Sequence, residues 1–494
     1  MTINICTWCF VIYYGCKKYP HLKLRTRGGN TMRRISMVLA LTFAFCMTLS
    51  ACQTESIPEG STSESLHTAD VVPEDQVDLK ESKELVVYRY PLLGEQLDFA
   101  VEQFKKQYPD VEIEYRDFGD ASDPNASDQY AEILQGELAA GKGPDIIVAP
   151  TYAISSDFSK TEETGAFLDV RAKLMQDTEL SMDRFVDGWL SIGGVGEQQC
   201  FIPLSYQTRV LFADQTVLQE NGVERETLSD PVGFHSTIAR WMETKEGDMT
   251  LWDAHSYGLW LVLPWCGAEA VDYENHTLNL NDDFRNTMEL YKSLYDSDMV
   301  KPQSEGWVDP YSNVYSGEAG RNLSQGMHLF LLGQDNLLSL TDFRAIEEES
   351  RIMLPFPSYT GKNVAEVCDV ACINATSQNT ENAYNFLKIL LSDNVQVRWR
   401  AFPVNKDALS SAITESTSAQ YTDDMGNVLT TALTVEEKKQ YTTLITENLE
   451  WHLPVAEGVS NIIWETMEPY FQNSQTYDIC LQELENRLTI YLDE

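Results

Sequence analysis

From residue 85 onward, strand-like and helix-like hydrophobic patterns alternate along the chain. Residues 85–90 form a β-branched and aromatic run that ends before Pro91, which predicts a strand. Apolar residues then recur at helical spacing over 97–104, and Pro109 follows them. A second alternating run at 111–115 predicts another strand. Strand, helix and strand in this order predict a parallel βαβ unit.

The same alternation continues after this unit. Apolar residues from Tyr130 to Leu138 share one face of a second predicted helix, and residues 141–145 lead from it into the apolar run 146–148. We therefore predict an α/β lobe. The chain from Cys52 onward has 443 residues, more than one ordinary core requires, so two lobes are expected. Apolar positions over 481–491 predict a packed terminal helix.

A different pattern occupies residues 32–52. Arg33 and Arg34 precede an apolar run, and Ala51 and Cys52 end it before the chain turns polar. This order is that of an export signal, and the run is too short for a secure membrane span. Leu-Ser-Ala-Cys resembles the bacterial lipobox, in which the cysteine is linked to diacylglycerol and becomes the mature N-terminus. We predict lipid attachment at Cys52, with a plain cleaved signal or an anchor helix as the alternatives.

The segments on either side of this signal are not expected to belong to the folded part. Residues 1–31 precede the charged end of the signal, and 27–31 can be encoded by a ribosome-binding sequence with its spacer, so we interpret 1–31 as untranslated and Met32 as the start. Residues 52–83 are rich in Ser, Glu, Thr, Asp and Pro, which predicts a disordered tether between the membrane and the folded lobes.

Composition narrows the range of partners. After residue 51 the chain carries 29 Lys or Arg and 76 Asp or Glu, a formal charge of −47, so nucleic acid and anionic membrane surfaces are poor partners. Five cysteines follow Cys52, an odd number that leaves at least one unpaired; they are Cys200, Cys266, Cys368, Cys372 and Cys480. In a strand, Cys368 and Cys372 lie roughly 13 Å apart, too far for a disulfide. We predict buried thiols, with no metal site and no cofactor.

Six segments carry a resemblance to a known family. They are Gly-Pro-Asp-Ile-Ile at 143–147, Phe-Ile-Pro-Leu-Ser-Tyr at 201–206 with Val-Leu-Phe at 210–212, Gln-Gly-Met-His-Leu-Phe at 325–330, Leu-Pro-Phe-Pro at 354–357, Ala-Cys-Ile-Asn at 371–374 with Asn-Ala-Tyr-Asn-Phe-Leu at 382–387, and Phe-Pro-Val-Asn at 402–405. In this order they resemble segments of the extracellular solute-binding protein family 1, which includes maltose-binding protein and supplies the receptors of ABC importers. The resemblance covers residues 84–494.

This resemblance implies an α/β, two-lobe periplasmic-binding-protein-like fold (type II), in which three crossover segments join the lobes and the ligand cleft lies between them. The implied first lobe comprises 84–203 and 356–402, and the second lobe comprises 204–355 and 403–494. The implied function is that of a lipid-anchored receptor on the extracellular side of the cell membrane. It would capture a sugar or oligosaccharide by lobe closure and deliver it to the permease subunits of an importer, without being an enzyme.

Family members bind sugars by stacking aromatic rings on them and by hydrogen bonding their hydroxyl groups. The resemblance therefore implies a set of ligand-binding candidates, which are Tyr90, Tyr152, Tyr206 and Arg209, followed by Trp265, Trp307, Tyr311, Gln334, Asp335 and Glu457. An aromatic candidate could instead belong to a core. We interpret Asp145 as a turn or strand-start residue.

Several alternatives stay open at this stage. A surface glycoside hydrolase would need two carboxylates flanking a bond, which 76 acidic residues neither establish nor exclude. Neither Gly-x-Ser-x-Gly nor His-Glu-x-x-His occurs in the chain, which disfavours the common hydrolase classes. The same fold could bind a peptide, a polyamine, a phosphate ester or a metal complex, and a lipoprotein could bind a partner protein without transport.

Overall fold

The structure is a computed structural model that describes residues 82–493 with internal gaps. The gaps are residues 121, 124, 195–197, 246, 253–268, 274, 298–316, 334–336, 400, 419–420 and 423–427. The predicted signal, Cys52 and nearly all of the predicted tether therefore lie outside the described residues.

The strands are β1 Glu84–Arg89, β2 Glu112–Asp117, β3 Ile146–Pro150, β4 Ile202–Gln207, β5 Val210–Asp214, β6 Thr250–Trp252, β7 Val271–Asp272, β8 Thr277–Leu278, β9 His328–Gly333, β10 Arg351–Pro355, β11 Asn363–Ile373, β12 Phe402–Pro403, β13 Tyr421–Thr422, β14 Val428–Thr430 and β15 Leu449–His452. The α-helices are α1 Gly94–Gln107, α2 Ala126–Ala139, α3 Thr151–Ile154, α4 Phe158–Glu163, α5 Arg171–Gln176, α6 Gln215–Glu220, α7 Pro231–Thr244, α8 Asp282–Asp296, α9 Glu318–Ser324, α10 Leu340–Ala345, α11 Thr380–Leu390, α12 Asp393–Gln396, α13 Lys406–Ser418, α14 Val435–Thr446, α15 Glu457–Phe471 and α16 Tyr477–Asp493. Short 3-10 turns lie at Pro91–Leu93, Met182–Arg184, Arg225–Leu228 and Leu337–Ser339.

The first lobe is built on a sheet with the order β12-β4-β11-β3-β1-β2, and β15 pairs with β11 beyond this path. Strand β1 runs parallel to both β2 and β3, which confirms the predicted βαβ unit. The predicted apolar face of α1 is enclosed, with Leu97, Ala100 and Phe104 fully buried. Helical spacing placed these residues on one stripe, and their burial against the sheet holds α1 in place.

The entry into β3 is fixed by Asp145. Its Oδ2 accepts hydrogen bonds from the backbone N–H of Val86 at 2.6 Å and from the side-chain amide of Asn379 at 2.9 Å, and its Oδ1 accepts from the Ser377 hydroxyl at 2.6 Å. The carboxylate therefore ties β1, β3 and the segment after β11 together. The prediction that Asp145 is a strand-start residue is confirmed.

The second lobe contains a four-stranded sheet with the order β10-β5-β9-β6, and this sheet is covered on both faces. In β5, Val210 and Phe212 pack in the same core as the first sheet, whereas Leu211 and Ala213 pack in a second core with α7, α8, α15 and α16. A strand that is buried on both faces has a continuous run of apolar residues. Neither of its faces contacts solvent, so apolar and polar residues do not alternate along it.

The chain crosses between the sheets at three places. Thr208 and Arg209 lie between β4 and β5, residues 356–362 join β10 to β11, and residues 453–456 lead from β15 into α15. The predicted boundaries at 203 and 402 fall inside β4 and β12, so in the structure both strands belong to the first sheet. The second lobe was also predicted to include all residues from 403 onward. In the structure, however, β15 pairs with β11 and so belongs to the first sheet, and the chain enters the second lobe after β15, at α15.

The cysteines follow the predicted pattern in the part of the chain that is described. Cys200, Cys372 and Cys480 are buried, Cys368 is half-buried, and none of the four forms a disulfide. Burial raises the pKa of the Cys200 thiol to about 12, so this side chain stays protonated. Cys266 lies outside the described residues.

Helix α14 is held on the second sheet by a buried ion pair. The fully enclosed Arg351 of β10 donates from Nη2 to Glu437 Oε2 at 2.8 Å and from Nη1 to the Thr431 hydroxyl at 2.7 Å. Burial alone would raise the pKa of Glu437, but its bonds with Arg351 and Thr434 outweigh burial and lower it. The pair therefore contributes stability above the ordinary pKa of Glu and loses it as the pH falls through the lowered value.

We expect Glu437→Gln to lower the free energy of unfolding by about 3 kcal/mol at pH 7, because the enclosed guanidinium loses its counter-charge. Urea denaturation measures this loss, and Glu436→Gln, on an exposed neighbour in the same helix, is the matched control. The difference from wild type should shrink on acidification. Equal stability of the Glu437 and Glu436 variants at pH 7 would contradict the role of the pair.

Candidate functional site

Three polar side chains lie side by side where β11 begins. The strand register places Gln207 of β4 on one side of Glu366 and His452 of β15 on the other. Directly opposed residues in paired strands point to the same face of the sheet, so the three side chains form one row. Gln207 Nε2 donates a hydrogen bond to Glu366 Oε1 within it. We call Gln207, Glu366 and His452 the crossing row.

The opposite face of the same strands is apolar core. Tyr206, Ala365 and Trp451 are buried there, and the ring centroids of Tyr206 and Trp451 lie 4.9 Å apart. On the face of the crossing row, Val364 packs into the second core. The crossing row therefore faces the second lobe, at the base of the region between the lobes.

A carboxylate from the second lobe contacts the crossing row. Glu269 Oε1 meets His452 Nδ1, and Glu450 Oε1 lies 3.9 Å from His452 Nε2. Burial alone would lower the pKa of His452, but the hydrogen bond with Glu269 and the nearby charges of Glu269, Glu450 and Glu366 raise it. The arrangement thus offers an imidazole, carboxylate acceptors and an amide, which are groups that bind ligand hydroxyls. Among the described residues, no cluster of His, Cys, Asp and Glu is arranged to hold a metal ion.

Two of the predicted ligand-binding residues meet at the ends of β1 and β3. The hydroxyl groups of Tyr90 and Tyr152 lie 3.5 Å apart. Tyr90 is fully buried and packs edge-on against Tyr130 with ring centroids 5.0 Å apart, whereas Tyr152 is half-buried on α3. Tyr90 therefore supports Tyr152 from within the first lobe, and Tyr152 is the more accessible of the pair.

The remaining predicted residues occupy different environments. The Tyr206 ring is fully buried, and its hydroxyl donates to the backbone carbonyl of Ile445 at 2.5 Å. Arg209 is buried in the link between the lobes, and Glu457 is exposed in the first turn of α15. Trp265, Trp307, Tyr311, Gln334 and Asp335 lie outside the described residues. The ligand-binding role of these residues stays a prediction.

Tyr206 and Arg209 are among the predicted ligand-binding residues, whereas Gln207, which lies between them in the chain, is not. The sequence does contain a signal for the residues of the crossing row. Polar and apolar residues alternate in Leu449–His452, and the polar residue Glu366 interrupts an apolar strand, so both patterns predict a polar side chain on one strand face. The pairing of β15 with β11 had no such signal. A contact between residues 366 and 452 is set by the tertiary fold.

A surface cleft of about 480 Å³ lies elsewhere, between α1, the 179–185 segment and α11. Its cations are paired with carboxylates, since Lys388 Nζ lies 2.6 Å from Glu179 and Arg184 Nη2 lies 2.5 Å from Asp393. The cleft belongs to the first lobe alone, so a ligand in it would not bridge the lobes. We therefore place the candidate site at the crossing row.

The match with a family model agrees with this geometry. A model described as bacterial extracellular solute-binding protein matches residues 90–397. The chain belongs to this family. The matched segment begins directly after β1, continues through β2, β3, β4 and the second sheet, and ends directly after α12, so it includes Gln207 and Glu366. A search by sequence among curated proteins found no match to this solute-binding protein.

Solved structures show the same fold. The sugar-binding protein MalE from Xanthomonas citri is 16% identical with a TM-score of 0.60, and the match covers 83% of this chain and 97% of that one. The cyclic α-maltosyl-1,6-maltose binding protein from Arthrobacter globiformis is 14% identical with a TM-score of 0.56, covering 83% and 98%. A sugar transporter protein from Rhizobium etli in an open conformation is 14% identical with a TM-score of 0.55, covering 82% and 98%. These likenesses confirm the predicted two-lobe fold.

Membership of the family is relevant to two further predictions, the placement of the protein outside the cytoplasm and its class as a binding protein. Its members are extracellular solute-binding proteins, which agrees with the predicted placement outside the cytoplasm. Within the described part of the chain, no helix combines the length and the apolar character that crossing a membrane requires. The family and the neighbours consist of binding proteins, in line with the predicted class.

We expect the pair of His452 and Glu269 to stabilise the protein in a pH-dependent way. Because the pKa of His452 is raised above its ordinary value of 6.5, the contribution is fully present below that value and is lost as the pH rises through the raised pKa. Glu269→Gln should therefore reduce the free energy of unfolding more at pH 5.5 than at pH 9, measured by urea denaturation. Glu447→Gln, on an exposed residue just before β15, is the control. Equal losses at the two pH values would show that the ion pair is not the source.

Proposed function

We propose that this solute-binding protein is a lipid-anchored extracellular receptor that captures a sugar or oligosaccharide between its lobes and delivers it to an ABC importer. The observation that carries the proposal is the crossing row, a set of hydroxyl-binding groups that faces the second lobe. Tyr152, half-buried on α3 of the first lobe, is the proposed stacking residue. The neighbouring structures include proteins whose names describe them as binding maltose derivatives or other sugars, which supports a carbohydrate.

The position of the row explains how binding can be coupled to lobe closure. Gln207, Glu366 and His452 are carried by the first sheet, whereas Glu269 approaches from the second lobe. A ligand that contacts both sides makes more contacts when the lobes are closed, so it shifts the population toward that state. A micromolar ligand requires about 8 kcal/mol, which a few hydrogen bonds and one or two stacked rings supply.

In the proposed site Tyr152 stacks on the sugar, and the crossing row binds its hydroxyl groups. Arg209 and Glu457 border the row in the chain, and Tyr90 supports Tyr152. Trp265, Trp307, Tyr311, Gln334 and Asp335 are the proposed contacts from the second lobe. Such a receptor holds and releases its ligand without breaking a bond, and the surface glycoside hydrolase is the competing class.

The binding proposal is tested on the chain from Gln53 onward, which retains both cores because they are built from residues 85–488. Tryptophan fluorescence and melting temperature are measured against mono- and oligosaccharides, amines and peptides. We expect a saturable shift with a sugar and no product. Product formation would favour the hydrolase, and a shift with amines or peptides alone would change the ligand class.

For the sugar that responds, we expect Gln207→Ala to raise the dissociation constant about tenfold, because about 1.4 kcal/mol of hydrogen bonding is lost. Gln219→Ala, on an exposed residue of α6, is the matched control and should leave the dissociation constant unchanged. An unchanged value for the Gln207 variant would remove this residue from the proposed site.

The lipid anchor is tested at Cys52. We expect the full chain, produced in a lipoprotein-processing bacterium, to incorporate labelled palmitate and to sediment with membranes, because diacyl attachment contributes about 0.8 kcal/mol for each buried methylene. Cys52→Ser should abolish labelling, and Cys46→Ser in the apolar run is the control. Labelling that persists in the Cys52 variant would contradict the proposed attachment site.

A further inference from the structure

A polar junction outside the crossing row connects the two lobes. Asp157 Oδ2 accepts a hydrogen bond from the Tyr491 hydroxyl at 2.5 Å and another from the Tyr273 hydroxyl at 3.1 Å. We call Asp157, Tyr273 and Tyr491 the lobe junction. Asp157 is only 8% exposed, so these bonds are shielded from water and its charge is matched by donors.

The partners in the junction belong to different lobes. Phe158, next to Asp157, packs against Phe167 and Phe201 of the first core with ring centroids 5.7 Å and 5.1 Å away. Tyr273, directly after β7, and Tyr491 of α16 pack against the second core. The two hydrogen bonds therefore run from one lobe to the other.

The two oxygens of Asp157 have separate tasks. Oδ1 accepts from the backbone N–H of Lys160 at 3.1 Å and caps α4, while Oδ2 receives both tyrosine hydroxyls. Capping holds the carboxylate in one orientation, because an N-cap side chain is tied to the first turn of its helix. The second oxygen is thereby aimed at the other lobe.

The Tyr491 ring is held from two sides. On the side of the first lobe, the Lys160 ammonium lies 4.2 Å from the ring centroid and also donates to the Tyr491 carbonyl. On the side of the second lobe, Gly458 leaves room for the ring, since a Cβ added there would lie 2.6 Å from Tyr491 Cε2. Burial and the hydrogen bond with Asp157 raise the pKa of Tyr491, so its hydroxyl is a donor at neutral pH.

The junction adjoins the proposed ligand site along the chain. Helix α4 follows α3, which carries Tyr152, and Gly458 lies in the first turn of α15, which begins five residues after His452. A second link between the same elements joins Glu163, at the end of α4, to His276, between β7 and β8, at 3.8 Å. The contact surface of α4 thus spans its whole length.

We propose that Asp157, Tyr273 and Tyr491 are positioning residues that favour the closed arrangement of the lobes before any ligand binds. The junction forms when the lobes approach each other and breaks when they separate. Its strength sets the population of closed protein, and the apparent affinity for any ligand of the closed state follows that population in proportion. The proposal depends on the two-lobe fold and not on the identity of the ligand.

The test measures lobe separation in the ligand-free chain from Gln53 onward by small-angle X-ray scattering. We expect a larger radius of gyration for Tyr491→Phe, Tyr273→Phe and the double variant than for wild type, because each removes a hydroxyl donor and keeps the ring. Tyr477→Phe, at the other end of α16, makes the same chemical change within one lobe and should leave the radius unchanged.

A second readout separates lobe positioning from general stability. Tyr491→Phe should keep the far-ultraviolet circular dichroism of wild type, and Asp157→Asn provides a conservative variant at the acceptor. A lower melting temperature with an unchanged radius of gyration in the Tyr491, Tyr273 and Asp157 variants would overturn the proposal, since the bonds would then stabilise the fold without setting lobe separation. No ligand is added, so failure of the sugar proposal would not affect this result.

Discussion

The arrangement of this protein depends on the backbone hydrogen bonding of β11. This eleven-residue strand pairs antiparallel with β4 along one edge, while β3 and β15 follow one another along the other. Its C-terminal half is buried in the first lobe, and its beginning is reached directly from the second sheet. A one-residue shift in the register of β11 would move its side chains to the opposite face, so the ladder fixes both the core and the site.

One face of β11 contributes to the core of the first lobe, and the other face contributes to the candidate site. Ala365 and Val367 lie on the core side with Tyr206 and Trp451, and Glu366 lies on the other side between Gln207 and His452. Successive side chains of a strand point to opposite faces, so this alternation alone places the apolar residues in the core and the polar residue in the crossing row. Asp369, deeper in the same strand, is accepted in the core because Ser205 and Trp399 donate to it, yet burial still raises its pKa to about 6.

Local patterns in the sequence were sufficient for the elements but not for the site. The face of α1 and the strand before it were predictable because helical and alternating periods depend on neighbours a few residues away. Tyr206 was a reasonable candidate beside the first crossing, but the position of a side chain relative to a strand face depends on which strand lies next to it. The structure puts Tyr206 in the core and Gln207 in the row.

Short spacings along the chain encode the α/β character, the order of the first strands and helices, the strand-start role of Asp145 and the family resemblance. Which distant residues meet depends instead on the tertiary structure. His452 reaches Glu366 only through the pairing of β15 with β11, and Tyr491 reaches Asp157 across 334 residues. Such contacts are set by packing of whole elements, whose free energy is spread over many buried side chains, so no local motif records them.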